Sequence, residues 1–428
     1  MKLELPNVPA SALARRVVKT LRARGHVAWL AGGCVRDLLL GRTPKDYDVA
    51  TDARPEEVEA AFEKSIPVGK SFGVITVQGE VDGVQVEVAT FRHDGPYSDG
   101  RHPDSVRFTD AHEDAARRDF TINALYLDPE SGEVIDYVQG VQDLKARLVR
   151  AVGDPAVRFA EDKLRLLRAI RFACALNFEL DDATFAALKR MAPQVVVCSA
   201  ERIREELHRM LASPGRSRAL RLMLEAGLLD ALLPEVAALE QQPSPGPAGN
   251  LLARALMTLD ALANPSLSLA WSALLADAGE EAAAATLRRL KCSNELASRV
   301  RDIVADIPRL AGLDQLAQAA LKRLLRRPHV DEWLELARAR TLDLGADLAQ
   351  VRFALTRLAA FRAQGPQSLW PQLPLNGEDL KALGLPPGPR YRELLSALED
   401  EMLEGRVGTR EGAFAFVKSR MDAREHGQ

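Results

Sequence analysis

In the first third of the chain, short apolar runs alternate with polar residues at 26–32 (HVAWLAG), 46–51 (DYDVAT), 73–81 (GVITVQGEV), 84–92 (VQVEVATFR) and 133–138 (EVIDYV). A period of two over such lengths predicts strands with one covered and one open face. Helical spacing intervenes at 35–41 (VRDLLLG) and 54–65 (RPEEVEAAFEKS). This region is therefore predicted to be a mixed sheet with helices. After about residue 140 the strand pattern stops, and from 156 onward Ala, Leu and Arg recur at the helical period. The expected fold class is α+β: a head of mixed sheet and helices, then an all-α remainder. Pro- and Gly-rich stretches at 241–250 and 364–374 are the predicted linkers.

The segment 31–51 (AGGCVRDLLLGRTPKDYDVAT) concentrates chemistry. Gly32 and Gly33 follow an apolar strand and precede a helix, where glycine lets the backbone approach a ligand and present its amides to phosphate. Asp46 and Asp48 are separated by one residue in an extended segment, so both carboxylates are expected on one face and Tyr47 on the other. Two neighbouring carboxylates repel unless a cation lies between them, and Mg2+ suits one or two carboxylates plus substrate phosphates. In 84–89, Val84, Val86 and Val88 alternate with Gln85, Glu87 and Ala89, which makes Glu87 a candidate third carboxylate.

These residues resemble a family. GG-x-VRD-x-LLGR-x-PKD-x-DVAT is similar to the first motif of class II tRNA nucleotidyltransferases (CCA-adding enzymes) and bacterial poly(A) polymerases. The resemblance implies a polymerase-β-like nucleotidyltransferase head with Asp46 and Asp48 as metal ligands, Glu87 as a catalytic carboxylate, and Mg2+ as cofactor. RRDFTINAL (117–125) resembles the second motif, implying that Arg117, Arg118 and Asp119 handle ribose and triphosphate. GDPAVRF (153–159) resembles a hinge, EDKLRLLRAIRF (161–172) the nucleotide-selecting motif, and AERIREEL (200–207) a brace of the neck. By the same resemblance Gly32, Gly33, Arg36 and Arg168 join the nucleotide-binding set. The implied division is a catalytic head at 1–140, a neck with the nucleotide-selecting helix at 141–212, a helical body at 213–363 and a tRNA-binding tail at 364–428.

Asp162 and Arg165 lie three apart on an expected helix. Cytosine and adenine each offer an exocyclic amino donor beside a ring-nitrogen acceptor. A carboxylate and a guanidinium can match that pattern, whereas uracil and guanine present the opposite one. The competing reading is that Asp162 and Arg165 form intrahelical ion pairs with Glu161 and Arg168. The segment 91–108 (FRHDGPYSDGRHPDSVRF) has the composition of a mobile loop and resembles the flexible loop of CCA- and A-adding enzymes. His93 and His102 within it lack a third suitably spaced ligand.

Some relatives carry a metal-dependent HD phosphohydrolase domain, but Ala276-Asp277 stands where such an enzyme needs His-Asp. A packed helix is expected there. RRLKCSNEL (288–296) and NGEDLKALGLPPGPRYRELL (376–395) resemble the family's tRNA-holding body and tail segments, and by that resemblance the basic clusters 287–301 and 321–329, otherwise solvated helix faces, are read as phosphate contacts to tRNA.

Bulk properties constrain the rest. The 428 residues exceed one ordinary domain, and 47% hydrophobic with 27% charged residues is a globular balance. No apolar run approaches the roughly 20 residues of a membrane span, and residues 1–17 show no signal-peptide core, so a cytoplasmic protein is expected. Cys34, Cys174, Cys198 and Cys292 form no CxxC and are expected to be reduced, buried small residues. The net charge of −3 neither favours nor excludes RNA. The expected activity is template-independent addition of all or part of CCA to tRNA 3′ ends from CTP and ATP, by a monomer or a homodimer. The alternatives are an A-adding enzyme, a poly(A) polymerase, and a tRNA-binding protein with an inactive head. VGKSFGVITV (68–77) lacks the basic run of the poly(A) polymerases, and the intact loop argues against CC-only addition.

Overall fold

The computed structural model describes residues 3–68, 70–95, 105–344 and 348–425. The chain packs as two compact units, Met1–Ala237 and Ala238–Gln428.

The first unit is built on strands β1 (Ala28–Ala31), β2 (Asp48–Thr51), β3 (Ser65–Ile66), β4 (Val74–Gln78), β5 (Gln85–Thr90), β6 (Arg92–Asp94), β7 (Val106–Phe108), β8 (Leu125–Leu127) and β9 (Val134–Asp136). Seven of them form one sheet in the order β3-β4-β5-β2-β1-β8-β9. Only β2 and β5 run parallel; the other neighbours are antiparallel. The mixed sheet is thus as expected, and its register sets Asp48 opposite both Ala31 and Glu87.

Helix α1 (Pro9–Ala23) packs across β1, β2 and β5. Leu13, Val17, Val18 and Leu21 recur at helical spacing and are buried on its inner face. Each contributes about 1.5–3 kcal/mol of gross burial free energy. Trp29, Phe91 and Tyr126 form a ring triangle with all three centroid separations at 5.9 Å. Helices α2 (Gly33–Leu39), α3 (Pro55–Ala61), α4 (Ala111–Ala116) and α5 (Gly140–Ala146) complete the sheet's surroundings.

Several strand assignments differ from expectation: β3 and β7 are two- and three-residue strands at the end of an expected helix and within an expected loop. Strand β8 lies inside the sheet, and all three of its residues are buried, so it shows no alternation to read. Strands also continue past residue 140: Leu148–Val149 pairs in parallel with Glu179–Leu180, a ladder too short to leave a pattern.

Helices α6 (Pro155–Glu161), α7 (Leu164–Leu176), α8 (Asp182–Met191) and α9 (Ala200–Leu211) follow. The expected continuous helix over 161–172 is interrupted. Asp162 is extended, at φ −140 and ψ 107, and its carboxylate accepts the Leu164 amide at 3.0 Å. An aspartate that captures a nearby backbone N–H favours a helix end over a helix interior.

The regular elements of the second unit are all helices among its described residues, with Trp271 and Trp333 deep in its core. Asp277 accepts hydrogen bonds from both Arg254 and Arg340, the latter at 2.7 and 3.1 Å. Burial would raise its pKa, but these hydrogen bonds outweigh that and hold the carboxyl below its usual range. Of the cysteines, Cys34 and Cys174 are buried, whereas Cys198 and Cys292 are only half-buried; all four are free thiols. No helix among the described residues is long and apolar enough to cross a membrane.

The basic cluster 321–329 is engaged within the fold. Lys322 donates to the Leu403 carbonyl at 2.8 Å, and Arg323 pairs with Glu399 and Asp400 at 2.6 and 2.7 Å. Arg326 pairs with Glu399 at 2.7 Å, while Arg327 and His329 both engage Asp306. These side chains already have partners within the fold.

Candidate active site

The carboxylate side of the site is set by strand alternation. Tyr47 is buried at 1% exposure, while Asp46 before it is exposed and Asp48 after it is half-buried at the start of β2. In β5, Val86 and Val88 face the core and Glu87 is exposed. Burial and the charge of Glu87 push the Asp48 carboxyl up to about 6, with Asp46 adding to the rise and Arg118 opposing it. Ionising Asp48 is therefore costlier than for a free carboxyl, and a divalent ion on Asp46 and Asp48 would offset that cost. Two neighbouring aspartates fit a divalent cation that completes its shell with substrate oxygens.

Gly32 joins β1 to α2 at φ 73, and a Cβ there would lie 3.0 Å from the Arg118 guanidinium. Its N–H is already given to the Leu125 carbonyl at 2.9 Å, so its contribution is backbone conformation and space. Gly33 opens α2, on which Arg36 is held by Asp37 at 2.8 and 2.9 Å and by the Asn123 side-chain oxygen at 2.6 Å.

The guanidinium side rests on two buried carboxylates. Asp114, in α4, accepts from Arg117 at 2.7 and 3.0 Å, from Arg118 at 3.0 and 3.2 Å and from the Tyr126 hydroxyl at 2.7 Å. Although burial works the other way, Arg118 and Arg117 bring its pKa down to about 2. Sequence reasoning missed Asp114; its signal was an aspartate three and four residues before paired arginines on one helical turn. Asp119 accepts from Arg168 at 2.5 and 2.9 Å and from the Asn123 amide at 3.1 Å. Its pKa is also brought down to about 2, burial being outweighed chiefly by Arg168. Arg168 therefore pairs with Asp119 and not with Glu161.

Arg165, in the first turn of α7, donates to Glu161 at 2.6 Å and to the carbonyls of Arg158 and Arg117 at 3.1 and 3.2 Å. Asp162 accepts from Arg202 of α9 at 2.7 and 3.1 Å, a pair that sequence reasoning missed. Guanidinium groups of Arg36, Arg168 and Arg171 lie 4.0–5.3 Å from the Phe172 ring centre.

Every residue singled out for the site lines one cavity of about 640 Å³: Gly32, Gly33, Arg36, Asp46, Asp48, Glu87, Arg117, Arg118, Asp119, Asp162, Arg165 and Arg168. Asn123, Phe172 and Arg209 line it too and were not foreseen. His93 is exposed, with Glu113 at 3.9 Å, and is not among the lining residues. His102 and the loop centre at 96–104 lie outside the described residues. Carboxylates at one side and arginines at the other can accommodate a cation and a polyanion together.

A mixed-sheet head bearing such a cavity, followed by helices, is the architecture of a nucleotidyltransferase. Three family models match in chain order: the poly(A) polymerase head domain (28–150), the RNA- and SrmB-binding site of polymerase A (177–239) and tRNA nucleotidyltransferase domain 2 (263–417). The CCA-adding enzyme of Geobacillus stearothermophilus is 35% identical over 420 residues, covering 96% of this chain and 97% of its own. That of Streptococcus gordonii is 34% identical, covering 98% of this chain and 100% of its own. The crystal structure of the Bacillus stearothermophilus CCA-adding enzyme in complex with CTP superimposes with a TM-score of 0.79 at 32% identity, over 98% of this chain and 100% of that one. The chain belongs to the CCA-adding enzyme family.

Proposed function

We propose that this protein completes or repairs tRNA 3′ ends by adding C, C and A from CTP and ATP, with Mg2+ as the metal. The carrying observation is that one cavity holds both the carboxylates Asp46, Asp48 and Glu87 and the pair Asp162 and Arg165, whose chemistry matches C and A. The transfer joins the tRNA 3′-oxygen to the α-phosphorus of the nucleotide and releases pyrophosphate and one proton. Asp46 and Asp48 would hold the metal, with Glu87 beside them on β5. A bound divalent ion supplies charge neutralisation at the reacting phosphate and activation of the 3′-hydroxyl. Gly32 and Gly33 make room for the triphosphate, and Arg36, Arg117 and Arg168 offset its charge. Asp119, whose carboxylate accepts from Arg168, the Asn123 side chain and the Phe120 amide, orients Arg168 and Asn123 toward the ribose. Asp162 accepts from the exocyclic amine and Arg165 donates to the ring nitrogen.

The same reading divides the chain into head (1–140), neck (141–212), body (213–363) and tail (364–428), with the helical parts holding tRNA. The test incubates purified protein with tRNA transcripts ending before CCA, after C and after CC, each with one labelled NTP or with CTP plus ATP. Stepwise addition of C, C and then A is expected. Addition of A alone, or an unlimited A ladder, would replace the reading with an A-adding enzyme or a poly(A) polymerase. No product with any transcript would leave a tRNA-binding protein.

A further inference from the structure

Asp162 has more partners than a base alone would need. Its Oδ1 accepts from Arg202 Nη1 at 3.1 Å and from the Leu164 amide at 3.0 Å. Its Oδ2 accepts from Arg202 Nη2 at 2.7 Å. A carboxylate offers about four lone-pair positions over two oxygens. Three are engaged, which leaves one position, on Oδ2, for a ligand in the cavity that Asp162 lines. One acceptor matches the single exocyclic amino group of cytosine or adenine.

Arg202 comes from a different helix. It lies in the first turn of α9, whose N-terminus is capped by Ser199, while Asp162 occupies the break between α6 and α7. The two side chains are 20% and 15% exposed, so the pair is largely shielded. The guanidinium fork is planar and meets both carboxylate oxygens at once, a two-point clamp that fixes the plane of the carboxylate. One turn further along α9, Glu206 pairs with Arg171 at 2.5 Å, so the same face also braces α7.

We propose that Arg202 is a positioning residue for nucleotide choice: it clamps the Asp162 carboxylate so that one acceptor, in one direction, is presented to the incoming base. The proposal rests on Asp162 being the base-reading carboxylate. Without the clamp only the Leu164 amide still holds the carboxylate, its Oδ2 loses its fixed direction, and a misaligned base is rejected less well. Arg202 is not among the residues that line the cavity, so it acts through Asp162.

The test measures kcat/KM for CTP and UTP on tRNA ending before CCA, and for ATP and GTP on tRNA ending after CC. The variants are Arg202→Gln, Arg202→Lys, Asp162→Ala and the double change, with melting temperature and tRNA affinity recorded for each. Arg202→Gln is expected to lower CTP-over-UTP and ATP-over-GTP preference about 10- to 100-fold, the range of one lost hydrogen bond to a charged group. Arg202→Lys keeps the charge but loses the fork and should fall between Gln and wild type. The double variant should lose no more preference than Asp162→Ala, because both changes remove one device. If Arg202→Lys or Arg202→Gln keeps full preference while Asp162→Ala loses it, the clamp is overturned and base reading by Asp162 stands. If Asp162→Ala itself keeps full preference, the base-reading role falls, and the clamp with it. A lower melting temperature with unchanged preference makes Arg202 a stabilising brace only and overturns the proposal.

Discussion

Glu161 ends one helix, Arg165 lies in the first turn of the next, and a 2.6 Å ion pair joins them across the break. Arg165 is further held by the carbonyls of Arg158 and Arg117 and is 9% exposed, so its orientation is imposed from three sides. Arg165→Ala is expected to weaken CTP and ATP use and to relax rejection of UTP and GTP by about 10- to 100-fold. Glu161→Gln should give a smaller loss in the same direction, because the two carbonyl contacts persist. Rates with all four NTPs on a tRNA ending before CCA measure both. A variant that melts earlier but still prefers CTP over UTP would make Arg165 structural.

Asp48 and Glu87 face each other in the parallel strand pair, and Asp48 is held at about 6 by burial and that neighbouring charge. Asp46→Ala or Asp48→Ala should abolish nucleotide addition while tRNA affinity stays within about threefold, since phosphate contacts carry most of the affinity. Labelled CTP incorporation and filter binding separate the two properties. Wild-type turnover in either variant would remove that carboxylate from the reaction.

Asp94 pairs with Arg117 at 3.1 Å, so the stem of the 91–108 segment touches a cavity-lining arginine. A deletion confined to 96–104 keeps that pair. It is expected to preserve C addition and to impair addition of the terminal A at least tenfold, because a fixed pocket must readjust between bases. Equal loss of both additions would speak for damage to the head instead of a switching role.

Asp114 titrates at about 2 in the folded protein, below its ordinary 3.8. A lowered folded-state pKa favours the native state above the unfolded value, and the advantage disappears as pH falls through the folded value. Asp114 should therefore contribute about 2 kcal/mol at neutral pH, lost between about pH 4 and 2. Denaturant melts of wild type and Asp114→Asn across this range should show a less stable variant at pH 7 and a shallower acid slope. Parallel curves would refute the linkage.

Much of the carboxylate face was legible because it depends on a period of two: Asp46 and Asp48 flank the buried Tyr47, and Glu87 sits between buried Val86 and Val88. Arg117, Asp119, Asp162, Arg165 and Arg168 were found through contiguous motifs. What escaped depends on contacts distant in sequence or on local capping. Arg202 is forty residues from the carboxylate it clamps. β8 is buried on both faces and so lacks alternation. Asp162 breaks its helix through a single side-chain hydrogen bond that no hydrophobic pattern records.

The cluster at 321–329 has a consequence for ionic strength. Lys322, Arg323, Arg326 and Arg327 are matched inside the second unit by a carbonyl and by Glu399, Asp400 and Asp306. Side chains already neutralised by fixed carboxylates displace few condensed counterions from a nucleic acid. A segment that looks like a polycation in sequence therefore behaves as a nearly neutral strut, and replacing Arg323 or Arg326 with Gln should leave the dependence of tRNA affinity on salt concentration almost unaltered while lowering the melting temperature.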